Sequence, residues 1–238
     1  MSDGQQLGLI IDGVDIYKKW NIKVKSRNLG KPSKKKTLET VAHSSKVFDF
    51  SLLYGGNNYE ERQLSYVLNI KGTKPDRMTA QFLETEFNNF IMSKAQFKLV
   101  DEIFPDYYFL AEVRQGTDFS PLFNFGELTV TLDAYAFRIK QAKEGSPYWD
   151  DYSILDYYQE VDFTINGSKT INLMNTGSNE LVPFIKTTSP MTVKIGNTTI
   201  SIPSGTTKTE DFVLSEGNNT ITITGNGEIE FEFHKELI

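Results

Sequence analysis

The chain has 238 residues, 39% hydrophobic and 13% aromatic, which is enough for one large or two small cores. It contains no cysteine, which excludes disulfides, thiolate metal sites and cysteine nucleophiles together and fits folding in a reducing cytoplasm. The net charge of −6 is uneven: residues 1–150 hold 20 Lys+Arg against 19 Asp+Glu and residues 151–238 hold 5 against 12 (together the 25 and 31 of the whole chain), so the balance passes from +1 to −7 and marks a boundary near 150.

Leu7 to Trp20 reads as a first strand pair turning at Asp12-Gly13, and Trp20 to Lys25 continues as strand. A basic stretch follows, with Lys31, Lys34, Lys35 and Lys36 in a loop opened by Gly30. Lys34, Lys35 and Lys36 can contact nucleic-acid phosphate or an anionic partner. They can equally be solvated charges that resist edge-to-edge pairing, and this reading is favoured because no aromatic residue is interleaved among them. Val47 to Leu53 and Gln63 to Ile70 read as a hairpin with a longer loop at Gly55 to Asn58.

Arg77 to Met92 has helical periodicity. Met78, Phe82, Leu83, Phe87, Phe90 and Ile91 form one broad apolar face that must lie on a sheet, with Asp76 as N-cap after Pro75. Phe97 to Glu102 and Tyr107 to Arg114 form a hairpin turning near Pro105-Asp106. Gly126 to Lys140 reads as one long strand whose second face turns apolar at Tyr135, Phe137 and Ile139, as if a neighbouring subunit covered it.

Glu144 to Glu160 is expected to be a linker. Tyr148, Trp149 and Tyr152 crowd there with Asp150, Asp151 and Asp156, either as a glycan-binding surface or, as favoured, as interdomain packing of an exposed hinge. From Val161 onwards short strands recur between Asn166-Gly167, Gly196-Asn197, Gly217-Asn218 and Gly225-Asn226-Gly227, each with one buried and one wet face, as in an antiparallel sandwich. The expected architecture is mainly β: residues 1–145 a β-rich domain with one helix at about 77–92, 146–160 a linker, and 161–238 a β-sandwich.

The chemistry expected of an enzyme is missing. His43 and His234 are far apart and neither has a partner at metal-ligand spacing. No phosphate-binding loop, nucleophile elbow or dinucleotide fingerprint is present. No catalytic, cofactor-binding or metal residue is assigned, and no cofactor is expected. No apolar run is long enough to cross a bilayer, so no membrane insertion is expected, and the polar start of the chain lacks a signal-peptide pattern.

Two segments carry a resemblance. Asn172 to Ile185 contains Asn175-Thr176-Gly177 and Pro183-Phe184-Ile185, and Leu214 to Ile223 contains Gly217-Asn218-Asn219-Thr220-Ile221-Thr222-Ile223. Together they resemble the galectin-like C-terminal domain of siphophage distal tail (Dit) proteins, and the order of elements ahead of them is similar to that family's N-terminal domain. The resemblance implies a virion structural protein, made in the host cytoplasm and placed at the tail tip. It implies a homo-oligomer, a hexameric ring, single or stacked. The ring joins the tail tube protein to the tail-tip or fibre protein, carries receptor-binding or baseplate proteins, and lets DNA pass through its channel. It makes Lys34–Lys36 candidates for the ring lumen or the tube-facing surface. Gly126–Lys140 and the Val47–Ile70 hairpin become candidates for the contact between subunits. The competing readings are a carbohydrate-binding or adhesin module using Tyr148 to Tyr158, and a hydrolase with carboxylates scattered in sequence.

Overall fold

Alternation of apolar and polar residues builds most of the chain into strands, and the computed structural model is mainly β. It describes residues 8–40, 43, 45–51, 58–71, 77–122, 126–148 and 156–238. The chain divides into two units, 1–138 with Ile238, and 139–237.

In the first unit, β1 (Leu9–Ile11) and β2 (Val14–Asp15) form the expected hairpin at Asp12-Gly13. The predicted strand then gives way to a short helix, α1 (Ile16–Trp20). Asp15 caps it, its Oδ1 accepting from the N–H groups of Tyr17 (2.9 Å) and Lys18 (3.1 Å), and Asn21 ends it at φ 54°. The i, i+4 pair Ile16 and Trp20 is buried, so the cap and two core contacts outweigh the strand pattern.

Next come β3 (Ile22–Leu29), β4 (Leu38–Thr40), β5 (Val47–Asp49), β6 (Arg62–Ile70) and α2 (Arg77–Met92), the last with the bounds its periodicity predicts. Its expected cap at Asp76 lies outside the described residues. Then follow β7 (Phe97–Asp101), β8 (Tyr107–Glu112), β9 (Asp118–Pro121) and β10 (Gly126–Ala134). The sheet order is β2-β1-β7-β8-β10-β6-β3, antiparallel throughout, with β9 on β10. Its inner face, including Leu64, Tyr66, Leu68, Leu99, Phe109, Leu128 and Val130, is sealed by Phe87 and Ile91 of α2 and by Trp20. Trp20 meets the Phe87 ring edge-on at 5.6 Å and donates from Nε1 to Glu86 Oε2 at 3.2 Å. Each such side chain contributes about 1.5–3 kcal/mol on burial.

Three expectations need correcting here. The described part of the expected Val47–Leu53 strand does not pair with Gln63–Ile70: β5 pairs with β4, while β6 lies between β3 and β10. The strand from Gly126 is broken, because β10 ends at Ala134 and β11 (Arg138–Lys140) begins separately. Phe137, expected against a neighbouring subunit, is covered by its own chain, with Tyr59 edge-on at 5.3 Å and Tyr135 at 5.5 Å.

The second unit contains β12 (Asp162–Asn175), β13 (Phe184–Thr187), β14 (Met191–Ile195), β15 (Thr198–Ile202), β16 (Gly205–Thr207), β17 (Gly217–Glu232) and β18 (Glu236–Leu237). Asp211–Leu214 forms no strand despite its apolar Phe212, Val213 and Leu214. Its Leu214 makes a single bridge to Leu181, and Phe212 sits in the core stacked 5.8 Å from Phe231. The larger difference is at the glycines. Asn166-Gly167 and Gly225-Asn226-Gly227 do not end strands; they face one another inside a continuous β12–β17 ladder running from Asp162↔Glu230 to Asn175↔Gly217.

That ladder must fold over. Twelve residues of straight strand would separate Asp162 from Met174 by roughly 40 Å. Yet Gln159, three residues before Asp162, hydrogen-bonds the main chain of Met174. Gly167 at φ 83° and Gly227 at φ 131° supply the conformations that let the ribbon bend. One half of β17 then pairs with β13 and the other with β14, which gives two layers around Ile165, Leu173, Ile185, Val193, Ile221 and Phe231.

Candidate functional site

The described residues of the first unit carry two exposed apolar surfaces. One is an arm. Beyond Gly30, whose N–H donates to Gln63 O (3.0 Å), the chain leaves the sheet. Glu60 N donates to Ser33 O (2.8 Å), Lys34 bridges Tyr59, and Lys35 N donates to Asn58 O (2.8 Å). Phe50 N donates to Thr37 O (2.9 Å), and the β4–β5 ladder completes the arm. From Gly30 to Thr40 it extends roughly 30 Å. A two-stranded ribbon is at best marginally stable in water, and this one exposes Leu38, Val47, Phe48 and Phe50. The Phe48 and Phe50 rings stack on each other at 6.3 Å.

Lys34, Lys35 and Lys36 all lie exposed on this arm. Lys36 Nζ donates to Asp49 Oδ2 at 2.7 Å, and that hydrogen bond, helped by Ser51, holds the Asp49 carboxyl well below the usual range. The arm therefore combines cationic side chains with bare aromatic rings, a combination suited to binding.

The other surface is on α2. Phe87 and Ile91 face the sheet, while Met78 (70% exposed) and Phe82 (67%) project from the opposite side, with Met92 in line. The apolar arc counted in the sequence is about twice the width one buried face needs. That excess width was the legible sign of a second, exposed apolar surface. For the arm, the sign was Phe48 and Phe50 on a short strand in a polar stretch.

β10, a candidate for pairing with a neighbour, is interior. β6 runs along its whole length on one side, and β9 and β8 share the other.

In the second unit Tyr148 is 71% exposed. Trp149 and Tyr152 lie outside the described residues. The Asp156 side chain is buried, accepting from Lys140 Nζ (2.8 Å) on Oδ2 and from Lys235 Nζ (3.1 Å) on Oδ1. Glu144 is also buried, and that burial pushes its carboxyl above the usual range against the opposing pull of the Gln159 hydrogen bond and of Lys140. This cluster ties the start of the unit to its last strand. His234 Nδ1 lies 3.0 Å from Lys140 O, well away in sequence from His43. Among the described residues no group of three or more His, Asp or Glu could hold a metal, and no helix is long and apolar enough to cross a membrane.

No protein-family model matches the sequence, and no curated protein matches it. The fold has relatives among solved structures. The Dit protein (gp 19.1) of phage SPP1, described as a paradigm of the hub adsorption apparatus in phages infecting Gram-positive hosts, is 12% identical, with a TM-score of 0.67 over 98% of this chain and 99% of that one. A chain of the phage P2 baseplate in its activated conformation with Ca is 11% identical, with a TM-score of 0.44 over 96% and 97%. The chain shares the SPP1 Dit fold along nearly its whole length, in both units.

Proposed function

We propose that this chain is a non-enzymatic distal tail protein of a phage virion. In this reading it forms a hexameric ring at the tail tip, joins the tail tube protein to the tail-tip or fibre protein, holds receptor-binding or baseplate proteins, and leaves a channel for DNA. The observation that carries the reading is the likeness to SPP1 Dit over both units, 98% of this chain and 99% of that one, rather than over one reusable module. The exposed apolar arm and α2 stripe support it. A ring closes by a heterologous contact between two different patches of the same chain, and these are two such patches on the first unit.

Solution mass by light scattering after size exclusion tests the ring. A mass near six times the chain's 27.1 kDa, with rings in negative stain, is expected. A monomer that stays monomeric in the presence of the tube protein overturns it. Lys34–Lys36 are placed in this reading at the lumen or the tube-facing surface. Replacing all three with Ser should leave the fold intact, because they are exposed, and reduce tail assembly or DNA passage; a normal phage yield refutes their role.

A further inference from the structure

β12 runs for 14 residues and, among the described residues, pairs on one side only, with β17. Odd-numbered positions face β17: Val161 O accepts from Phe231 N (3.0 Å), and Gly167 N donates to Asn226 Oδ1 (3.0 Å). In an antiparallel ladder the main-chain groups of alternate residues point the other way. Met174 is one of these, and its outward rung is filled. Its N–H donates to Gln159 Oε1 (2.8 Å) and its carbonyl accepts from Gln159 Nε2 (2.7 Å). The Gln159 side-chain amide thus sits on the edge of β12 as a peptide group would.

The next outward rungs, Asn172, Thr170 and Ser168, meet no strand among the described residues, and all three residues are exposed. Sheet edges are usually blunted by charge, proline or a bulge. From Asn166 to Asn172 this edge has one charge, Lys169, no proline and no break in register. A cleft of about 470 Å³ lies beside it, with Tyr157, Tyr158, Lys169, Ile171 and Asn172 among its lining residues.

We propose that this edge takes an extended segment of a different, net-basic protein as an added strand, bonded to the main chain of Thr170 and Asn172 and lying against Tyr157 and Tyr158. An open ladder edge recognises an extended backbone, and the flanking cleft accepts its side chains. A second copy of this chain is disfavoured, since it would set the −7 balance of residues 151–238 (5 Lys+Arg against 12 Asp+Glu) against itself, whereas a basic strand is drawn in. The inference needs only the second unit and stands whether or not a ring forms.

The test is residue-resolved amide exchange on the full chain, with a blocked ten-residue peptide of alternating Val and Thr carrying three Lys as probe. Alone, the Thr170 and Asn172 amides should exchange fast while Ile171 and Leu173 are protected. With peptide, protection at Thr170 and Asn172 should rise at least tenfold. Thr170→Pro removes the outward donor without touching the β17 ladder and should weaken binding at least tenfold; Thr170→Ala should not. The same peptide with Glu for Lys should bind at least tenfold more weakly at low salt. The proposal is overturned by unchanged exchange on adding peptide, or by equal binding to Thr170→Pro. Concentration-dependent protection before peptide is added, the mark of a second copy, overturns it too. So does a response of these amides to maltohexaose and not to peptide, the mark of a sugar cleft. If Thr170→Pro does not fold, the exchange pattern of the unaltered chain decides alone.

Discussion

Adding a methyl group at Gly227 tests the folded ribbon directly. A Cβ there would lie 2.6 Å from Thr188 Oγ1 and 2.8 Å from Ser189 Oγ. Both hydroxyls are committed: Thr188 Oγ1 accepts from Glu228 N (2.9 Å), and Ser189 donates to Asn226 O. Gly227→Ala therefore costs backbone strain of about 1–3 kcal/mol at φ 131°. It also displaces two hydrogen bonds, at about 0.5–1.5 kcal/mol each. Gly167 is the control. Its φ of 83° also disfavours a side chain, but its Cβ would meet nothing within 4 Å, so only the strain remains. The difference between the two variants is then about 1–3 kcal/mol. For a unit of residues 139–237 that is a further fall in melting temperature of roughly 4 °C or more, at about 4–8 °C per kcal/mol. Scanning calorimetry of the two variants, read on the transition that moves, measures it. Equal shifts would refute the argument that the ribbon is bent tightly against the Thr188–Ser189 corner.

Glu144 makes stability depend on pH with a definite sign. Its folded carboxyl titrates above the usual 4.5 because it is buried, so the folded state holds the proton more tightly than the unfolded chain. The stability from the protonated form is present below 4.5 and is lost as pH rises through the raised value. Urea denaturation should show Glu144→Gln less sensitive than the parent to a rise from pH 4.5 to 7; parallel curves refute this. Asp156→Asn leaves two buried ammonium groups without the carboxylate they share, and should cost about 3–5 kcal/mol in the same assay. A change below about 1 kcal/mol would show that the cluster is not electrostatically coupled.

Several elements were legible because their determinants are local. α2 has its predicted bounds, the Asp12-Gly13 hairpin is where its turn signal put it, and the alternation of Leu64, Tyr66, Leu68 and Ile70 became β6, buried on one face. The segments Asn172–Ile185 and Leu214–Ile223 carried the resemblance to the C-terminal domain of distal tail proteins, and the SPP1 Dit likeness in fold agrees with it. The arm was missed because Lys31–Lys36 has no periodicity of its own; its pairing with Asn58–Glu60 is a contact between distant residues.

Sequence alone determined that this is a mainly β chain with one long helix, that no cysteine chemistry is available, and that its last third is acidic. Each follows from composition or from short-range periodicity, which needs no partner to be read. Tertiary structure alone decided which half of the α2 apolar arc is buried, because the sheet and Trp20 take up Phe87 and Ile91 and leave Met78 and Phe82 outside. It alone turned Asn166-Gly167 and Gly225-Asn226-Gly227 from strand ends into the bend of one ribbon. A glycine that permits positive φ reads the same in a turn and in a bend, and the long-range ladder of β12 and β17 determines which it becomes.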